Sequence, residues 1–284
     1  MFLRCVGEAL RVICIAPSGP TKAYVQTLWW NRREAGIPAG EHLLPTGSAQ
    51  LVVALHDGTF AWSSGTTSGA WSGAVLHGPQ AAWYRSGPKL RGVVVGASFH
   101  PEAAASLFGV AAVALAGEHL SLETLWGAEA ERIRQRIAAT GTPRDALEEL
   151  DRSIARHIRR PLLMHPSTAA ALHDAWDAER PFRLRSFARE SGYSQKLVIG
   201  RFAQSVGFTP SRYFRIRRFA RVLKTLAELT ACDNATAPSL ARIAVDNGYA
   251  DHAHLDREFR ELAGVVPSAY RALNAQSPHH HIPR

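Results

Sequence analysis

Ser194-Gln195-Lys196-Leu197-Val198-Ile199-Gly200-Arg201-Phe202, followed by Gly207, Pro210 and Tyr213, has a counterpart in the same chain. Asp251-His252-Ala253-His254-Leu255-Asp256-Arg257-Glu258-Phe259 is followed by Gly264, Pro267 and Tyr270. Counted from Ser194 or from Asp251, Phe, Gly, Pro and Tyr recur at +8, +13, +16 and +19 in both stretches. Four coincident landmarks identify a duplicated unit. Ser194 and Asp251 suit helix N-caps, because their side-chain oxygens accept from first-turn N–H groups that otherwise lack partners. Val198 and Phe202, like Leu255 and Phe259, lie four apart on one helical face and are expected to be buried. Upstream, Leu184, Phe187 and Ala188 form the apolar stripe of a short helix ended by Gly192, and Leu240, Ile243 and Ala244 do the same before Gly248. A small alanine lets the next helix cross closely, and glycine supplies the left-handed residue that closes the first. Each copy therefore reads as a helix-turn-helix whose second helix projects outward.

Between the copies, Pro210 to Glu228 reads as one helix. Tyr213, Ile216, Phe219, Ala220, Leu223 and Leu226 make its apolar face, while Arg212, Arg215, Arg217, Arg218, Arg221 and Lys224 crowd the others. Nineteen residues at about 1.5 Å each span roughly 28 Å, close to the roughly 34 Å between successive major-groove faces of B-DNA. An arginine run by itself is ordinarily a solvated face. Lying between two helix-turn-helix units, it points instead to phosphate contact.

Gly192-Tyr193-Ser194…Phe202…Gly207…Pro210…Tyr213 and Gly248-Tyr249…Asp251…His254…Arg257…Phe259-Arg260…Gly264…Pro267…Tyr270 resemble the paired signatures of AraC/XylS regulators. The resemblance covers Phe182 to Leu273. It implies a seven-helix domain that binds double-stranded DNA, with recognition helices over 194–206 and 251–263 entering adjacent major-groove segments, and that recruits or positions RNA polymerase. Helix phase turns Gln195, Lys196, Ile199 and Gly200 outward in the first unit, and His252, Ala253, Asp256 and Arg257 in the second. Lys196 can donate to guanine or to phosphate, Gln195 can address adenine, and Arg257 can grip guanine with two hydrogen bonds. Asp256 can accept from cytosine, repel phosphate or pair with an arginine. Ser194, Arg201, Arg212, Arg217, Arg218 and Arg221 are the candidate phosphate contacts, which position a protein on DNA without reading it. The pattern departs from the family at Gly200, where an arginine is usual. Glycine weakens a helix by about 1 kcal/mol relative to alanine and removes a contact. First-unit readout is thus expected to be weaker, shifted onto Lys196 and Arg201, or dependent on DNA shape.

The bulk numbers agree with this reading. A chain of 284 residues suits two domains rather than one small core. The net charge is +9, and residues 161–284 hold 17 Lys/Arg against 11 Asp/Glu. That excess favours nucleic acid as partner, with an anionic membrane as runner-up. Cys5, Cys14 and Cys232 have no metal-type spacing and their odd number closes no disulfide framework, so a reducing cytoplasm is the expected context. No apolar run approaches a membrane span, and Met1 to Ala16, interrupted by Glu8 and Arg11, makes a poor signal peptide.

The expected class is α+β, in four parts. Residues 1–120 form a β-rich, barrel-like (cupin-like) sensor or dimerisation domain, and 121–160 a helical connector. Residues 161–275 form the all-α DNA-binding domain, and 276–284 a tail whose His279-His280-His281 is either frayed or a weak metal binder. Leu51–Leu55 and Thr59–Trp62 flank Asp57-Gly58 as in a hairpin, Val93-Val94-Val95 within Leu90–Phe99 reads as a buried strand, and Pro101–Leu107 as a helix closed by Gly109. The connector, carrying Leu122, Leu125, Ile133, Ile137, Leu147, Leu150 and Ile154 at helical spacing, either makes a homodimer contact or packs on its own domain.

Leu28-Trp29-Trp30, Leu44-Pro45-Thr46-Gly47-Ser48, His77-Gly78-Pro79 and Phe99-His100-Pro101 resemble a little-characterised domain that precedes some AraC-type domains. Trp30, Trp62, Trp83, His77 and Phe99 are candidate lining for an unknown small-molecule effector, though each tryptophan taken singly reads as core. His42, His56, His77 and His100 lack the His-x-His pair and following acid of a cupin metal site, and no nucleophile sits in a recognisable turn. The expectation is a regulator without cofactor, metal or catalysis. Its rival is a cupin-like, metal-dependent enzyme fused to a DNA-binding domain.

Overall fold

The structure is a computed structural model that describes residues 5–7, 10–33, 41–87, 92–159, 161–177, 182–230, 238–274 and 281–283. Met1 to Arg4, Leu90, Cys232 and most of the expected tail lie outside the described residues.

The front half is built on two antiparallel sheets. Its strands are β1 (Cys5–Gly7), β2 (Leu10–Ile15), β3 (Val25–Arg33), β4 (Glu41–Leu43), β5 (Gln50–Ala54), β6 (Phe60–Ser64), β7 (Thr67–Trp71), β8 (Ala74–His77), β9 (Tyr84–Ser86) and β10 (Gly92–Phe99). Two short helices follow, α1 (Ala103–Phe108) and α2 (Ala112–Leu115), and then strand β11 (His119–Ser121). The first sheet runs β1-β2-β3-β10-β5-β8-β11, and the second joins β4, β9, β6 and β7. The β-rich front domain expected from the turn-rich sequence is thus built of two sheets that do not close into one barrel.

The hairpin expected at Asp57-Gly58 is also corrected. β5 pairs with β10 and β8, whereas β6 pairs with β7 and β9, so this turn carries the chain from one sheet to the other. The tight hairpin lies one strand later, between Ser64 and Thr67, around Gly65 at φ 57°. Gly65 provides the positive φ that lets a two-residue loop follow the twist of its strands.

Residues 122–157 form α3 (Leu122–Trp126), α4 (Glu129–Ala138) and α5 (Pro143–His157). Their apolar stripe is buried within their own domain. Ile133, Ile137, Leu147, Leu150 and Ile154 join Leu28, Val53, Val95 and Phe99 in one core. On the polar side of that layer, the buried Glu149 carboxylate takes hydrogen bonds from Arg136 at 2.9 Å and Arg152 at 3.0 Å. The segment read as a connector is therefore a helical layer on the first sheet.

Seven helices follow among the described residues: α6 (Pro166–Asp177), α7 (Leu184–Ser191), α8 (Gln195–Val206), α9 (Pro210–Thr230), α10 (Leu240–Asp246), α11 (His252–Ala263) and α12 (Pro267–Asn274). Val198, Phe202, Val206, Tyr213 and Ile216 share one core, and Phe219, Leu223, Leu226, Leu255, Phe259 and Tyr270 share another. Helix α9 is the spine common to both, because its first two turns feed one core and its later turns the other. At the C-terminus a last strand, β12 (His281–Pro283), pairs with β4 and extends the second sheet. These residues, expected as part of a loose tail, are in a ladder.

Candidate nucleic-acid interface

The two units are built as the caps and apolar spacing require. Ser194 Oγ accepts from the Leu197 N–H at 3.2 Å, and Asp251 Oδ1 accepts from the His254 N–H at 2.6 Å. Gly192 closes α7 at φ 74°, and Gly248 follows α10 at φ 78°. Val198, Phe202, Leu255 and Phe259 are fully buried, which leaves the opposite faces of α8 and α11 to solvent.

On α8, Gln195, Lys196, Gly200 and Arg201 are exposed and Ile199 is half-buried. On α11, His252, Ala253 and Arg257 are exposed. Asp256 is half-buried with Oδ1 3.3 Å from His252 Nε2, so its partner is this histidine rather than an arginine. Gly200 has open space around it: nothing lies within 4 Å of where a Cβ would stand.

The arginines of α9 divide by role. Arg212 is exposed. Arg218, expected to reach phosphate, is turned inward, only 15% exposed, and donates to Glu258 at 2.6 Å and to the Gly248 carbonyl at 3.2 Å. Its guanidinium also lies 4.1 Å from the centre of the Tyr249 ring. Arg215 donates to the same carboxylate at 2.9 Å and to Glu261 at 2.6 Å. Burial alone pushes the Glu258 carboxyl up, but the hydrogen bonds and charge of Arg218, with Arg215 behind it, outweigh burial and hold its pKa below the ordinary value. This cluster ties helix α11 to the spine. A charge buried with its partners holds a geometry, and removing one partner is costly. Arg217 and Arg221 are half-buried beside each other, and burial, followed by the neighbouring arginine, lowers the Arg221 pKa. Of the six candidate phosphate contacts, Ser194, Arg201 and Arg212 are exposed, and Arg218 is committed elsewhere.

Two residues that the sequence reading passed over belong to this surface. Arg185 and Arg189, four apart on the exposed face of α7, line a cleft of about 420 Å³ with Ser186, Tyr193, Ser194 and Gln195. Their signal was available. Once Phe187 and Ala188 face inward, positions 185 and 189 must face out.

Of the effector-pocket candidates, Trp62 and His77 come together on His119, and the others lie apart. Trp30 and Phe99 are core residues of the first sheet. Trp62 packs on His119 with ring centres 4.1 Å apart, and His119 Nδ1 lies 2.5 Å from His77 Nδ1, one ring donating to the other. Burial lowers the His119 pKa to about 4, so this ring is neutral at physiological pH. Trp83 is elsewhere, stacked on His42 at 4.0 Å and pressed against Gly264, where a Cβ would meet its ring at 2.8 Å. His42 Nδ1 is 3.3 Å from the Ala263 carbonyl. Trp83 thus contacts the end of α11. Similarly, a Cβ on Gly207 would come 2.8 Å from the Ala112 carbonyl, and one on Gly47 would come 3.1 Å from Tyr213. The front domain touches α8, α9 and α11 together. Among the described residues, no group of three or more His, Cys, Asp or Glu could hold a metal ion, and no helix is long and apolar enough to cross a membrane.

Residues 187–273 match a family model described as a helix-turn-helix domain, and residues 14–121 match a domain of unknown function, DUF6597. The fold is similar to that of ToxT from Vibrio cholerae, with a TM-score of 0.50 over 93% of this chain and 98% of that one at 9% identity. A transcriptional regulator from Chromobacterium violaceum, described as containing an AraC-type DNA-binding domain, aligns with 39% of this chain and 95% of its own. That alignment has 24% identity and a TM-score of 0.34. No curated protein matches the chain.

Proposed function

We propose that this chain, a DNA-binding transcription regulator with an AraC-type helix-turn-helix domain at residues 187–273, recognises specific promoter sequences through α8 and α11 and is modulated through its front domain. The observation that carries this reading is the pair of N-capped helices, each burying one face and exposing the other, joined by a single 21-residue helix. At about 1.5 Å per residue that helix spans roughly 30 Å, near the repeat of the major groove. The exposed residues of α11, above all Arg257, are suited to base edges, and those of α8 to base edges or phosphate.

Modulation follows from the contacts of the front domain with both units. An effector or protein partner that shifts Trp83 or the α1–α2 segment changes how α8 and α11 are held. Recruitment of RNA polymerase and assembly as a homodimer belong to the same reading, and the protein acts without catalysis of its own. Selection of bound duplexes from random DNA, followed by binding of Arg257→Ala, tests it. The parent chain should enrich one motif, and Arg257→Ala should lose discrimination by roughly 1–3 kcal/mol at one base pair of that motif. Unchanged sequence preference in the variant would remove α11 from the reading role.

A further inference from the structure

We propose that a backbone phosphate of DNA seats in the cleft between α7 and α8, held by Arg185 and Arg189, so that the first helix-turn-helix anchors the chain while the second reads sequence. The proposal rests on the DNA-binding reading above and assigns different work to the two copies.

The charges of the copies carry it first. From 184 to 206 the chain has Arg185, Arg189, Lys196 and Arg201 against Glu190, a net of +3. From 240 to 263 it has Arg242, Arg257 and Arg260 against Asp246, Asp251, Asp256, Glu258 and Glu261, a net of −2. Arg242 of the second copy is further tied to Asp246 at 2.9 Å. Non-specific attraction to DNA comes from cations that replace condensed counterions at phosphates, so the first copy supplies more of it than the second, whose Glu258 and Glu261 are paired with Arg215 and Arg218 of α9. The second copy, negative overall, gains little from phosphate and depends on directed contacts such as that of Arg257.

The geometry then locates the anchor. Arg185 and Arg189 stand one turn apart on α7 and border a cleft whose other wall is Tyr193, Ser194 and Gln195. Arg185 has no acidic partner among the described residues. Arg189 approaches Glu190 only at 3.9 Å, with both side chains more than two-thirds exposed, a pairing that water and salt nearly cancel. The wall opposite carries hydroxyl and amide groups able to donate to phosphate oxygens. Further along α8, the exposed Gly200 presents no side chain to a base. The first copy therefore has cations where the backbone passes and a bare position where a base would be read.

The test measures binding of the full chain by fluorescence anisotropy. The probes are a duplex selected from random DNA and a shuffled duplex of the same composition, followed from about 50 to 200 mM salt. The double variant Arg185→Ala/Arg189→Ala should weaken both duplexes by the same factor and lower the slope of log affinity against log salt by about two. Arg185→Lys/Arg189→Lys should keep most of that slope. Arg257→Ala should instead narrow the gap between the two duplexes. An unchanged slope in the double alanine variant, or a loss confined to the selected duplex, overturns the anchor. Failure of the parent chain to bind either duplex defeats the DNA-binding reading itself and is seen before any variant is made.

Discussion

Gly200 sits in the middle of α8 with open space where a side chain would be, so its cost is entropic and nothing in the packing requires it. Gly200→Ala should raise stability by about 0.5–1 kcal/mol, read from the midpoint of urea unfolding. No gain would mean that a neighbour closes over the site. Glu258 is the opposite case, a residue whose surroundings dictate it. It occupies the position that Arg201 holds in the first copy, yet it is buried between Arg218 and Arg215. Its folded pKa lies below the ordinary carboxylate value. Such a group contributes stability above its unfolded pKa and loses it as pH falls through the folded one. Stability should thus be level near neutrality and fall below about pH 4.5, and Glu258→Gln should make that acid slope shallower. The slope should persist in part, since Glu149 is held down in the same way: arginine hydrogen bonds outweigh the burial that raises it. An identical pH profile for Glu258→Gln would show that the ion pair does not couple to folding. The sequence placed Arg218 on the polar face of α9 but could not show its inward turn, because its acceptor is 40 residues away on another helix.

Among the elements, those set by short-range rules were legible in the sequence. The caps, the apolar stripes four apart and the closing glycines lie within one or two turns of what they control, and α7, α8, α10 and α11 form where the repeat put them. The sheets were not. Leu51–Leu55 and Thr59–Trp62 look like partners because Asp57-Gly58 separates them, but strand pairing is decided by which apolar faces meet across the whole domain. β5 is buried between β10 and β8. The docking of α8 was equally hidden, since its partners α1 and α2 are a hundred residues earlier. Two glycines separate local from distant causes. Gly192 is left-handed with open space around it, so Gly192→Ala should cost about 1 kcal/mol from backbone strain alone. Gly207 is left-handed too, at φ 94°, but its added methyl would also press on the Ala112 carbonyl. Gly207→Ala should cost about 2–3 kcal/mol, and equal losses in the two variants would show that α8 is not seated on the front domain.

Taken whole, the molecule is two domains joined by more than their linker. Tyr213 lies against Gly47, the end of α8 against Ala112, and the end of α11 against Trp83, which is itself stacked on His42. These contacts reach α8, α11 and the spine between them, so the spacing of the units is shared between α9 and the front domain. If the interface holds the halves together, the parent chain unfolds as one cooperative unit, because neither half can open without exposing the other's contact surface. Trp83→Ala removes the stack on His42 and leaves a gap beside Gly264. The lost area belongs to the interface rather than to either core, so the expected result in calorimetry is a single transition divided into two. The upper transition should stay near the parent's temperature. Cleavage by a protease should at the same time shift toward the segment between α5 and α7. One undivided transition, displaced to lower temperature, would instead make Trp83 an ordinary core residue of the front domain. It would also remove the route by which an effector bound there could reach α11.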